Sequence, residues 1–224
     1  MKTKKNEPKV KVSEGEYSPV YIHCLYKLML FRHLKEYSTQ DVSYLLGKKS
    51  RYVEELEGLK SLSNRIEAIF PQTMKLGTLQ PVDLFSRDIF EIEAFRRYRV
   101  TVSKKRECIL YKIEVIEDEA PSLAFSFTER IPSSNHFFSV EEEVVEKLRI
   151  VLGELINAGY FLEKIETYQL YQKCLDDYAL HIRPVVLRDI MIELTKREDT
   201  KVCLKYDNID HFGFRYYYIQ EGDL

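Results

Sequence analysis

Ser38-Thr39-Gln40-Asp41-Val42-Ser43-Tyr44-Leu45-Leu46-Gly47-Lys48-Lys49-Ser50-Arg51-Tyr52-Val53-Glu54-Glu55-Leu56-Glu57-Gly58 is the stretch on which the fold turns. Thr39 suits a helix N-cap, and Gln40 to Leu46 follow with Val42, Leu45 and Leu46 spaced to share one side. Gly47 then supplies a residue that turns the chain at positive φ at little cost. From about Ser50 to Leu59, Val53 and Leu56 again mark a buried side, so the segment reads as two short helices joined by a tight turn. Upstream, Ile22, Leu25, Leu28, Met29 and Leu30 recur at helical spacing between Tyr21 and Lys35 and predict a preceding helix ending near Glu36 and Tyr37. Downstream, Ser63 or Asn64 caps a fourth helix carrying Ile66, Ile69 and Phe70, which Pro71 is expected to stop.

Over this core the chain resembles the Cro/repressor (XRE) helix-turn-helix family. The features that coincide are the polar cap with Gln40 opening the second helix, the small Ser43 where the helices cross, Gly47 in the turn, Val53 and Leu56 on the third helix, and the Glu57-Gly58 pair that ends it. The resemblance covers about Tyr21 to Phe70. It implies sequence-specific binding of double-stranded DNA, with a recognition helix in the major groove and the preceding helix crossing the backbone. On that reading Gln40 anchors the backbone or a base edge, Lys48 and Lys49 meet phosphate, Arg51 offers two donors to guanine, and Ser50 and Tyr52 complete the recognition surface. The resemblance also implies an ion pair between an arginine of the first helix and the glutamate ending the third, here Arg32 and Glu57.

Charge qualifies this expectation. Val20 to Phe70 holds eight Lys and Arg against six acids, and Glu54 and Glu55 place carboxylates on the third helix. Non-specific affinity for DNA comes mainly from phosphate neutralisation, so a monomer should bind weakly and a homodimer, with doubled contacts, better. The alternative is a protein-interaction module such as an antitoxin, immunity or adaptor protein, in which the helix-turn-helix survives as a packing unit and the C-terminal part captures a partner protein.

Residues 1–18 are rich in Lys and Glu with Pro8 and Gly15 and few apolar side chains, and read as a flexible arm. After a connecting stretch from Gln72 to Asp88, Arg97–Val102 and Cys108–Ile116 read as strands joined by the polar loop Ser103–Glu107, with Ser122–Arg130 as a third. Ser139 and Glu142 form a capping box ahead of a periodic helix striped by Val144, Leu148, Val151 and Leu155. Helices from Glu166 to Tyr178 and from Pro184 to Lys196 follow, then a hairpin of Lys201–Tyr206 and Phe212–Ile219 across Asp207–His211. The last helix and hairpin have the order of a winged-helix element, with Lys201, Lys205 and Arg215 on the wing, although Phe212, Phe214, Tyr216, Tyr217 and Tyr218 favour a packed strand or a protein-binding face.

The expected architecture is therefore α+β: an arm (1–18), a small all-α helix-turn-helix domain (19–75), and a mixed α+β domain (76–224) with a winged-helix-like end that dimerises, senses or docks. Apolar residues at 45% and charged residues at 31% fit a globular chain, and a net charge of −2 gives no global drive toward polyanions. No apolar run is long enough to span a membrane and the start lacks a secretory stretch, which predicts a cytoplasmic protein. Cys24, Cys108, Cys174 and Cys203 are scattered singly and read as small buried thiols. His23, His33, His136, His181 and His211 show no metal-ligand spacing, and no phosphate-binding or nucleophile signature appears. The sequence thus points to no metal, no cofactor and no catalysis.

Overall fold

The structure, a computed structural model, describes residues 9–60, 69–77, 95–117, 120–130, 142–196, 202–209 and 213–220. It contains both helices and sheets, as expected of an α+β chain. Contacts divide it into two compact units, each discontinuous in sequence: Met1–Glu36 with Glu54–Phe138, and Tyr37–Val53 with Ser139–Leu224.

The first unit is built on an antiparallel sheet of β1 (Lys9–Tyr17), β2 (Arg96–Lys104), β3 (Cys108–Val115) and β4 (Ser122–Arg130), in that spatial order. β1 corrects the expectation of a flexible arm. Lys9 to Tyr17 pair with Lys104 to Arg96 over nine positions, so backbone hydrogen bonds supply what the apolar side chains cannot; residues 1–8 lie outside the described residues. Along β2 and β3 the two-residue alternation buries Tyr98, Val100, Tyr111 and Ile113 on one face.

Helix α1 (Pro19–Leu34) packs on that face. Its start follows from chemistry: the Ser18 hydroxyl accepts from Tyr21 N at 3.1 Å and Pro19 fits the first turn. It ends before Glu36, which takes the left-handed conformation at φ 55°. The Tyr26 and His33 rings lie 5.5 and 5.0 Å from Phe127, whose partner across the ladder is Tyr111. Helix α4 (Phe70–Lys75) has Pro71 in its first turn, where a missing N–H costs nothing, so Pro71 helps to open this helix, while most of the expected fourth helix lies outside the described residues. The proposed caps Ser63 and Asn64 lie outside the described residues.

The second unit holds α2 (Thr39–Leu45), α5 (Glu142–Asn157), the two-residue strand β5 (Ile165–Glu166), α6 (Thr167–Asp176), α7 (Pro184–Leu194), β6 (Val202–Ile209) and β7 (Gly213–Gln220), with sheet order β5-β7-β6. α5 buries Leu148, Val151, Leu152 and Leu155 along one stripe, and burying each fully contributes about 1.5–3 kcal/mol as an upper bound. Its expected Ser139 capping box is outside the described residues. α7 opens on Pro184 and buries Leu187, Ile190 and Met191. β6 runs on past the expected Tyr206, Asp207 to Ile209 belonging to it and not to a loop, while β7 has the expected length one residue further along. Cys24 and Cys174 are buried free thiols whose pKa values burial pushes up to about 11 and about 12. Among the described residues no helix is long and apolar enough to cross a membrane.

Candidate nucleic-acid interface

The N-cap of α2 is Ser38, one residue before the expected Thr39. Asp41 N donates to the Ser38 hydroxyl at 3.2 Å, while the Asp41 carboxylate accepts from Ser38 N at 2.9 Å, a reciprocal capping box. The same carboxylate, fully buried, accepts from Val185 N at 3.0 Å and from the Arg183 guanidinium, so it also closes the first turn of α7. At the other end of α2, the Thr167 hydroxyl at the start of α6 donates to Leu45 O at 3.1 Å. Both ends of α2 are thereby fastened to C-terminal helices.

Leu46 and Gly47 make the turn, with Gly47 at φ 67° and Lys48 N donating to Ser43 O at 2.8 Å. Helix α3 (Tyr52–Glu57) is shorter than the expected Ser50–Leu59. Its start is fixed by Ser43, whose hydroxyl donates to Thr39 O at 2.7 Å and accepts from Val53 N at 3.1 Å. The sequence marks Ser43 only as small, yet its hydroxyl satisfies an orphan donor of the next helix. Ser43→Ala should therefore lose about 1–3 kcal/mol in urea unfolding, because it leaves the buried Val53 N–H without its acceptor. A change within a few tenths would show that a solvated arrangement replaces it.

The far end of α3 carries the pair that the family resemblance implies. Arg32 Nε lies 2.6 Å from Glu57 Oε1 and its Nη2 lies 3.0 Å from Oε2, a bidentate bond with both side chains 1% exposed. Glu129 on β4 joins from the other side, 3.1 Å from Arg32 Nη1. Burial pushes the Glu57 carboxyl above its ordinary range, and the Arg32 bonds oppose this without cancelling it. Such a pair fixes geometry more than it adds stability. Beyond it, Leu59 takes the left-handed conformation at φ 49°, and its carbonyl is held by the Tyr17 hydroxyl at 3.0 Å.

The six residues singled out by sequence are placed unequally. Gln40 is exposed on the first turn of α2, and Lys49, Ser50 and Arg51 are exposed in the turn ahead of α3, not on the helix itself. Lys48 is half-buried, with its ammonium 5.9 Å over the Tyr52 ring. Tyr52 is the first residue of α3, and burial pushes its hydroxyl up to about 12, so the ring serves packing before recognition. Glu54 and Glu55 are exposed on the helix. In the terminal hairpin, Arg215 and Lys164 both face Asp207, at 3.6 and 2.5 Å, and Tyr216 is buried. Side chains of Lys201, Phe212, Phe214 and Tyr218 lie outside the described residues.

No family model, curated protein or solved structure matches the chain.

Proposed function

We propose that this chain is a DNA-binding transcriptional regulator of the cytoplasm that acts as a homodimer and reads duplex DNA with the Ser38–Gly58 helix-turn-helix. The observation that carries this reading is the exposed run Lys49-Ser50-Arg51 between two anchored points, with Gln40 exposed on the helix before it. Lys48 N, bonded to Ser43 O, fastens one side of the run, and Val53 N, bonded to the Ser43 hydroxyl, fastens the other. Exposed donors on a fixed backbone lose little entropy on binding, and Arg51 has the fork that fits guanine.

The C-terminal elements run in the order helix, strand, helix, helix, hairpin, with the last strand central, which is the order of a winged-helix element. We assign this part to dimerisation, sensing or partner docking instead of base reading. The first-turn N–H of α7 is already occupied by the Asp41 carboxylate, an anion where a phosphate would sit, and Arg215 faces Asp207. Exposed Glu54 and Glu55 favour a second reading, a protein partner for α3 itself.

Fluorescence polarisation against promoter DNA of the protein's own locus separates the two. A Lys49→Ala/Arg51→Ala double variant should weaken specific binding about ten- to a hundredfold, the value of one good bidentate base contact, and flatten the salt slope by about one for the lost phosphate contact. No binding by the wild type even at low salt would transfer the function to a protein partner.

A further inference from the structure

The four-stranded sheet sorts its charges by end. Toward one end its cations are neutralised: Arg97 and Arg99 grip Glu14 at 2.6 and 2.7 Å, and Lys112 meets Glu114 at 2.6 Å. At the opposite end Lys9 and Lys11 of β1, Lys104 of β2, Lys105 and Arg106 of the connecting hairpin and Arg130 of β4 are all exposed, and none makes an ion pair with a described residue. Lys9 stands directly across the ladder from Lys104, a like-charge pairing that destabilises a sheet. Arg130 sits opposite Cys108, at the foot of the same hairpin. Glu107 is exposed in the hairpin, and Glu129 is committed to Arg32, so acids offset this end only in part.

We propose that this cationic end of the sheet binds the phosphate backbone of duplex DNA without reading sequence, as a second contact surface remote in sequence from the helix-turn-helix. The inference rests on the DNA reading for the identity of the polyanion, but not on which residues select the sequence. Its extent argues for a polymer and against a free phosphate. The cations are spread over strands about 4.8 Å apart, hence about 14 Å from β1 to β4, and converge on no single point. Duplex DNA offers one charge per about 1.7 Å of axis, so it meets several of them at once. A membrane fits less well. Lys9, Lys11 and Lys104 project to one face of the sheet and the exposed Val10 and Val12 to the other, which of the strand cations only Arg130 shares, so most of the charge stands apart from the apolar side chains that would enter lipid. Thin overall charge then poses no obstacle, because affinity depends on local cations and not on the net value.

The test measures binding of the full chain to a short duplex of scrambled sequence across a salt series. Three proteins are compared: the wild type, a Lys104→Ala/Lys105→Ala/Arg106→Ala variant, and the Lys49→Ala/Arg51→Ala variant. The hairpin variant should lower the slope of log affinity against log salt by roughly 2–3, since each lost phosphate contact removes about 0.9. The Lys49/Arg51 variant should retain most of the wild-type slope. A Lys104→Arg/Lys105→Arg variant should bind as the wild type does, which separates charge from damage to the hairpin. An unchanged slope in the alanine variant would overturn the proposal, as would binding to phosphatidylserine vesicles with none to duplex. Failure of the helix-turn-helix reading looks different: preference for promoter over scrambled DNA would be absent while the hairpin variant still lost its salt slope.

Discussion

Arg32→Ala is expected to be among the most destabilising single changes in the chain, costing about 3–5 kcal/mol in equilibrium urea unfolding, because it strands a buried carboxylate. Glu57 is 1% exposed and loses both of its bidentate donors, while Glu129, at 26% exposure, recovers water more easily. The reverse change, Glu57→Ala, should cost less, since Arg32 keeps its contact with Glu129. A paired replacement by apolar residues of similar volume, Arg32→Met with Glu57→Leu, should recover much of the loss, because two desolvation costs vanish together. The pH dependence has a definite sign. In Arg32→Ala burial acts on Glu57 unopposed by its partner, so its folded pKa rises further above its unfolded value. A group with a raised folded pKa stabilises below the unfolded value and loses that contribution as pH rises through the folded one. The variant should therefore be closest to the wild type in mild acid and fall further behind toward neutrality. A deficit independent of pH would show that lost packing, not a stranded charge, is the cause.

That pair also shows what a sequence holds and what it hides. Glu57 and Arg32 were both visible as residues, since the glutamate ends a periodic run and the arginine lies on the preceding helix. The third member, Glu129, was not, because nothing local in Ser122–Arg130 says which strand end meets α1. Elements with their own period were legible for the same reason in reverse: α1, α5 and α7 each bury apolar residues whose helical spacing the sequence spells out. β2, β3 and β4 were legible from their β-branched and aromatic content, and a local loop joins β2 to β3. β1 was missed because its valines at 10 and 12 stay 53% and 57% exposed and its partner strand lies some ninety positions on, so its alternation carried no core signal. Charge counted over Val20 to Phe70 is thin, whereas six exposed cations that make no ion pair with a described residue gather at a sheet end from three separate stretches of sequence.

Among the candidate interface residues, Gln40, Lys49, Ser50 and Arg51 are exposed, while Tyr52 turns inward and Lys48 leans over it. The shortening of α3 has a local cause. Ser43 presents its hydroxyl to Val53 N and Tyr52 N donates to Lys49 O, so the helix begins at Tyr52 and leaves Ser50 and Arg51 in the turn. A spacing pattern registers Val53 and Leu56 but is blind to where the first helical hydrogen bond closes.

Asp41→Ala is the second change expected to be severe, and it tests why α2 belongs with the C-terminal helices and not with a free-standing N-terminal domain. One buried carboxylate accepts from Ser38 N, the Ser38 hydroxyl, Val185 N and Arg183, capping α2 from within and α7 from across 144 positions of sequence. Each donor left without an acceptor in a buried site costs about 1–3 kcal/mol, and lost N-cap bonding adds about 1, so a total of about 3–5 kcal/mol is expected in thermal or urea unfolding. Asp41→Asn should rescue little: an amide offers one acceptor oxygen, and its NH2 would face a donor on whichever side it turned. The readout that separates this from general damage is amide exchange at Val185, which should quicken in Asp41→Ala beyond the change at Leu148 of α5, because of these two only the Val185 N–H loses its acceptor directly. Equal protection at Val185 in variant and wild type would mean that α7 caps itself, and that α2 could move without it. If protection falls, then seating α2 depends on a helix near the far end of the chain, and anything that displaces α7 also displaces Gln40 and the turn that follows. On the DNA-binding proposal, a ligand or partner docked on the C-terminal elements would then alter affinity through Asp41 without touching Lys49 or Arg51.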